Sequence, residues 1–277
     1  MSITMAAIAV ASMFFHEYTC PEIFSFVSAS GLTGIEFWLE TPHFWIRNCP
    51  IDDVKVCKNT HPEILSFNVH APILDLNPCS INPKVASVSV EYTVRSIGIA
   101  EKLGAEVLTV HPGRRTAKRP PSTADFERFD RYITVLRDAA KKTKIKISME
   151  NMEPLVNSLL CTPTRMRRLL EEEPWLYFTL DVSHALVGNP DDVFKYIDFC
   201  SHRLMNVHVS RIEGKRPHFP LNNNPDIEPV LQALRDCGYN GALTLEIEDL
   251  NLQGPLTSQE KVSLLASERA FLKQFFE

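Results

Sequence analysis

The chain has 277 residues, 44% of them hydrophobic and 23% charged, with a formal net charge of -5. Those proportions exclude a disordered chain, and no run approaches the roughly 18–20 apolar residues that a bilayer span needs. The negative balance gives no global attraction to nucleic acid, although a local basic patch on an acidic protein can still bind it.

Along the chain, short β-rich apolar runs alternate with segments of helical spacing. The opening MSITMAAIAVASMFF carries no Lys or Arg ahead of its apolar residues, so it reads as a first buried strand, Ile3–Ala11, rather than a cleaved leader. Strands are expected next over Gly34–Leu39 and Ile64–His70. A helix over Val85–Leu103 follows, opened by Asn82-Pro83 and closed by Gly104. Then come strand Val107–His111, helix Ala124–Lys142, strand Ile145–Glu150, helix Pro163–Glu172 and strand Tyr177–Asp181. Asn189-Pro190 opens a helix over Pro190–Cys200, and strand Leu204–His208, helix Pro225–Cys237 with Gly238 behind it, and strand Ala242–Glu246 complete the series. Strands this continuously apolar are buried on both faces, as in a parallel sheet. Eight units of about 35 residues each predict a (β/α)8 TIM barrel, and with no linker in the chain it is expected to be one domain over 1–277. An open doubly wound sheet would carry a glycine fingerprint after a strand, and none is present. The seven cysteines are scattered with no CxxC pair, which argues against a disulfide framework or a thiolate zinc site and fits a reducing cytoplasm.

The strand ends carry the chemistry. Strands three to eight finish at His70, His111, Glu150, Asp181, His208 and Glu246, each directly after an apolar run. A barrel brings all its C-terminal strand ends to one mouth. Imidazoles with carboxylates form a ligand set for a divalent ion such as Zn²⁺, Mn²⁺, Fe²⁺ or Mg²⁺, and a cation relieves the mutual repulsion of the carboxylates. Any one histidine at a strand end is more often structural; six such residues in register are not explained that way.

The segments HAP, VHPG, MEN, LDVSHA, VHVS and LEIE, in this order, resemble the xylose isomerase-like barrel superfamily from about Gly34 to Leu250. That group includes sugar isomerases and epimerases as well as endonuclease IV-type abasic-site nucleases. The isomerase likeness implies a four-ligand metal site at Glu150, Asp181, His208 and Glu246. Glu150 and Glu246 would also move the proton, and His184 and Arg211 would contact sugar oxygens. The nuclease likeness implies three zinc ions. The first would sit on His70, His111 and Glu150, the second on the four-ligand set, and the third on His184 with an Asp-x-His pair after strand seven. In that segment His218 fits, but Arg216 stands where the Asp should be, and Asn222, Asn223 and Asn224 replace the usual glycine turn.

The loop GRRTAKRPP after strand four puts Arg114, Arg115, Lys118 and Arg119 near the mouth. Arginine forks suit phosphate oxygens, whereas the bland alternative is a solvated charged loop. Glu36, in Glu36-Phe37-Trp38 at the second strand end, either points into the mouth or pairs with a buried base, and the two aromatics form either a sugar wall or plain core. The expected function is therefore metal-dependent isomerisation or epimerisation of a sugar or sugar phosphate, ahead of abasic-site cleavage. A non-catalytic ligand-binding barrel is the third reading. The expected partner is a small carbohydrate, with nucleic acid second, no membrane, and self-association into a homo-oligomer left open.

Overall fold

The computed structural model describes residues 6–252 and 254–276. Its elements in chain order are β1 (Ala7–Ala11), α1 (Cys20–Ala29), β2 (Gly34–Trp38), α2 (Pro42–Ile46), α3 (Ile51–Thr60), β3 (Ser66–His70), α4 (Pro83–Leu103) and β4 (Val107–Val110). They continue as α5 (Thr123–Ala140), β5 (Lys146–Glu150), α6 (Pro163–Glu172), β6 (Tyr177–Asp181), α7 (Val182–Gly188), α8 (Asp191–Cys200) and β7 (Leu204–Val209). A hairpin of β8 (Arg211–Glu213) and β9 (Arg216–Phe219) precedes α9 (Glu228–Asp236), β10 (Ala242–Leu245) and α10 (Ser258–Phe276). All strands but the hairpin pair close into one parallel barrel in the order β1-β10-β7-β6-β5-β4-β3-β2. The (β/α)8 barrel expected from the strand rhythm is thus the observed fold. Residues 3–5 of the first expected strand lie outside the described residues.

Local chemistry sets the helix ends. Asn82 accepts a hydrogen bond from the Lys84 amide at 3.1 Å, and Gly104 closes α4 with a left-handed backbone at φ 64°. Asn189 accepts from the Asp191 amide at 3.2 Å at the start of α8. Helix α10 is tied back to the barrel by Lys261, which is almost fully buried. Its Nζ lies 2.9 Å from Asp249 Oδ2 and also bonds the Phe14 carbonyl oxygen. Among the described residues no helix is long and apolar enough to cross a membrane.

The barrel interior below the mouth is polar rather than aliphatic. Asn68, Thr109, Ser148, Thr179, Asn206 and Thr244 are all buried, and each stands two residues before a strand-end His, Asp or Glu. Side chains two apart on a strand share a face, so these form the layer beneath the mouth. They bond one another: Thr179 Oγ1 donates to Ser148 Oγ at 2.7 Å, Thr109 and Thr179 hydroxyls meet at 3.2 Å, and Thr244 donates to Asn206 Oδ1 at 2.9 Å. A connected network of this kind fixes side-chain orientation in a low dielectric.

Candidate metal centre at the barrel mouth

Glu150, Asp181 and His208 end or nearly end their strands, and Glu246 is the first residue past β10. Strand register sets Asp181 beside His208 across β6 and β7. One ligand atom from each of these four lies within 4.8 Å of the others, and so do those of His70, His111 and Glu150. Glu150 belongs to both groups. Its Oε2 faces His111 Nε2 at 2.9 Å and His70 Nε2 at 3.4 Å, while its Oε1 lies 3.6 Å from His208 Nδ1.

The residues fit a divalent ion by a direct observation. Glu150 Oε1, Asp181 Oδ2, His208 Nδ1 and Glu246 Oε2 are all buried without a well-directed hydrogen bond, and they crowd one another, His208 Nδ1 lying 2.5 Å from Glu246 Oε2. Buried polar atoms are nearly always satisfied, so carboxylate and imidazole atoms crowded in this way are suited to a cation. The remaining atoms of these side chains are committed elsewhere. Asp181 Oδ1 accepts from the His184 amide at 2.7 Å and the Ser183 hydroxyl at 2.9 Å, which also starts α7. His208 Nε2 meets Glu36 Oε2 at 2.7 Å, and the Asn206 amide donates to the same oxygen at 2.9 Å. His70 Nδ1 points at the Ala71 carbonyl at 2.8 Å. A carboxylate or carbonyl behind a ligating imidazole holds its ring and tautomer, and Glu36 stands in that position behind His208. Trp38 stacks on His70 with centroids 3.8 Å apart and planes at 9°, fixing that ring from the other side.

The electrostatics follow from the crowding of carboxylates. Burial opposes a charged His184, yet Asp181 and then Glu150 outweigh it and push its pKa up to about 10. Burial also opposes a charged His208, but Glu36 and Glu246 raise it well above the usual imidazole value. His70 is raised despite burial by its bond to Glu150 and by Glu36. Burial works against ionised Glu246, but His208 and His218 hold it at about 2. An imidazolium cannot ligate, so a metal would have to displace the protons that these carboxylates help to hold on the imidazoles. Metal affinity is expected to rise from pH 6 to pH 8, with proton release seen by calorimetry in buffers of different ionisation enthalpy. Affinity independent of pH would show that these imidazoles do not ligate.

Beside the cluster lies a cavity of about 330 Å³ whose wall includes Trp38, His111, Arg114, His184, His218 and Glu246. Its size is near the lower end of small-molecule pockets, about 300–1,000 Å³. Glu246 borders this cavity, whereas Glu150, Asp181 and His208 lie behind its wall. Arg114 is placed by Asn77, whose side chain brackets its backbone N and O at 3.0 and 2.9 Å. The approach needs glycine at 113, where a Cβ would stand 2.8 Å from Asn77 Oδ1 at φ +76°.

The other basic and polar candidates are placed differently. Arg115 turns to the start of α5, with Nη1 on the Pro120 carbonyl at 2.7 Å and 3.6 Å from Asp125. Lys118 and Arg119 are exposed. Arg211 pairs with Glu213 at 2.6 Å and lies over the Phe219 ring at 5.4 Å, off the cavity wall. Arg216 is exposed over the other approach to Phe219 at 5.0 Å. Glu153, which strand-end reasoning passes over, reaches the cavity and comes within 4.8 Å of His184 and His218. Its only sequence signal is its place three residues after Glu150.

Comparison with known proteins agrees with this architecture. An uncharacterized protein of Methanocaldococcus jannaschii is 33% identical over 274 residues, covering 97% of this chain and 99% of its own length. A second uncharacterized protein of that organism is 30% identical over 202 residues, covering 69% of this chain and 67% of its own. Among solved structures, a D-tagatose 3-epimerase-like protein superposes with TM-score 0.76 at 22% identity, over 97% of this chain and 98% of that one. An L-ribulose 3-epimerase superposes with TM-score 0.80 at 18% identity, over 98% and 95%. At such identities these two establish the shared fold alone. The family model described as xylose isomerase-like TIM barrel matches residues 24–274, and the chain belongs to that family.

Proposed function

We propose that this chain is a divalent-metal-dependent isomerase or epimerase that moves a proton between carbons of a small carbohydrate, free or phosphorylated. The observation carrying this reading is the set of four buried ligand atoms at Glu150, Asp181, His208 and Glu246, crowded within 4.8 Å of one another next to a cavity of small-molecule size. Structures sharing the fold at 17–22% identity include, beside the two above, a 3-keto-D-glucoside 4-epimerase of E. coli, which supports carbohydrate as the substrate class. A bound cation supplies Lewis acidity toward a substrate carbonyl or hydroxyl oxygen.

The chain's own residues do the rest. Glu246 is ionised at neutral pH and borders the cavity, so it is the carboxylate that meets a substrate carbon-bound proton. Glu150 is the second carboxylate of the acid/base pair. His111 and His184 on the cavity wall bind and orient substrate oxygens, and the apolar wall including Trp38 excludes water. Incubating the metal-loaded protein with a panel of ketoses in D₂O tests the reading. Deuterium at a carbon next to the carbonyl, abolished by chelator and restored by metal, is the expected result. No exchange with any ketose or ketose phosphate would overturn it.

A second reading, an abasic-site phosphodiesterase, is favoured by the His70, His111 and Glu150 cluster, which a four-ligand site does not require. Zinc-dependent cleavage of abasic-site DNA without ketose exchange would select it. Either way, Arg114 makes no ion pair among the described residues while facing the cavity. Arg114→Ala is expected to raise KM for a phosphorylated substrate about tenfold and to leave a neutral one nearly unchanged, consistent with loss of about 1.4 kcal/mol of charge-assisted hydrogen bonding. Equal effects on both in steady-state assays would remove the phosphate role.

A further inference from the structure

We propose that the end of the barrel opposite the metal centre carries a binding site for a small organic phosphate, with Lys146, Arg269 and Lys273 around its opening and Asn68 at its inner end. The inference is independent of the isomerase reading, since it uses a different cavity and different side chains.

The interior of such a barrel is usually closed by layers of bulky side chains. Here several strand starts are small. Ser66 stands two residues before Asn68 and Ala242 two before Thr244, and Ala7 pairs with Ala242, so all three face inward. They border a cavity of about 600 Å³ that opens at the N-terminal ends of the strands and runs inward as far as Asn68. Asn68 is 4% exposed, and alone of the polar layer it makes no side-chain hydrogen bond among the described residues. A buried amide left unbonded is costly, and a ligand hydroxyl or carbonyl in the cavity would satisfy it.

The opening is basic. Lys146 begins β5 two residues before Ser148, so it points to the same interior, and it makes no ion pair among the described residues. Arg269 on α10 likewise makes none. Its guanidinium lies against the backbone at Gly31, where an added Cβ would stand 3.4 Å from Cζ. Lys273 follows one turn later on α10 and lines the cavity with them. Glu106, exposed at the rim, is the only carboxylate among the described lining residues. Three cations against one carboxylate, in a chain of net charge -5, concentrate positive potential at this opening. Lysine ammonium and arginine fork together suit phosphate oxygens. The cavity is larger than a lone phosphate fills, and the Asn68 amide at its inner end suits a carbon chain bearing hydroxyl or carbonyl oxygens. Reaction chemistry in this fold sits at the other end of the barrel, so the occupant is an effector rather than a substrate.

The test uses the full chain, before and after treatment with chelator, titrated by calorimetry with inorganic phosphate and with glycerol 3-phosphate. Binding is expected to survive both chelator and Arg114→Ala, which separates it from any phosphate contact at the mouth. Arg269→Met and Lys146→Met should each raise the dissociation constant of both probes about tenfold. Asn68→Ala should weaken glycerol 3-phosphate several-fold and leave inorganic phosphate unchanged. Thermal melts check that each variant folds, and either methionine variant suffices if the other does not. Binding lost with chelator or in Arg114→Ala, yet kept in Arg269→Met and Lys146→Met, would place the phosphate at the mouth and overturn the site. A chain that binds neither probe would overturn it too. Glycerol 3-phosphate binding no tighter than inorganic phosphate would overturn the assignment to an organic ligand.

Discussion

Glu246→Gln is expected to lower kcat by roughly 10²–10⁴-fold while leaving the barrel folded. The carboxylate sits one residue past β10, where the strand's burial is already complete without it. Its Oε2 lies 2.5 Å from His208 Nδ1, and its side chain is 14% exposed at the cavity edge. The substitution keeps shape and removes charge, so the loss falls on proton transfer and ligation rather than on packing. Far-ultraviolet circular dichroism and melting temperature should match wild type within a few degrees, while the isotope exchange described above disappears. Exchange at the wild-type rate would remove Glu246 from the mechanism.

Glu36 is expected to give the largest effect on stability. It and His208 are both fully buried, 2.7 Å apart, and Asn206 closes the third side. Removing one member of a buried ion pair costs about 3–5 kcal/mol, and because His208 can shed its proton Glu36→Ala should fall near the lower end. A melting temperature lower by roughly 6–12 °C is the corresponding readout. Glu36→Gln retains an acceptor for His208 Nε2, so it should recover most of that stability. It should still weaken metal binding about 10–100-fold, because a neutral amide orients the ring without raising its basicity. A Glu36→Ala protein with wild-type melting temperature and metal affinity would mean that His208 is held by its strand alone.

The fold was legible because its signals are local. Each strand is a short apolar run, and each strand-end residue is adjacent to that run, so period and position together placed His70, His111, Glu150, Asp181, His208 and Glu246 at one mouth. From β2 onward the barrel-strand boundaries shifted by only one or two residues, as at His111 and Glu246, which stand just beyond β4 and β10. The first strand instead starts at Ala7, and the helix expected from Pro225 starts at Glu228. What sequence adjacency did not determine is where long side chains turn. Arg115 follows Arg114 directly, yet Asp125 and the Pro120 carbonyl draw it to α5. Arg211 lies three residues after His208, but Glu213 and Phe219 hold it within the hairpin. The question left at Glu36 is answered by packing, with its carboxylate turned to His208. Glu153 meets His218 only because the β5 loop and the hairpin fold over the same opening, a coincidence of distant segments that no periodicity encodes. The polar layer beneath the mouth was different. Its members lie at a fixed offset of two from the ligand-type residues and were readable from strand alternation alone.

Glu150 gives one oxygen to His70 and His111 and turns the other toward His208. That division sets an order in which such a centre can be altered by descent. Loss of the two histidines would leave the set of Glu150, Asp181, His208 and Glu246 whole, so a lineage could discard that half by ordinary drift and still pass on a working remainder. Loss of Glu150 would remove a member of both sets in one step, with no functional intermediate for selection to preserve. On the proposed reading, Glu150 is therefore the residue whose replacement would disable both sets at once.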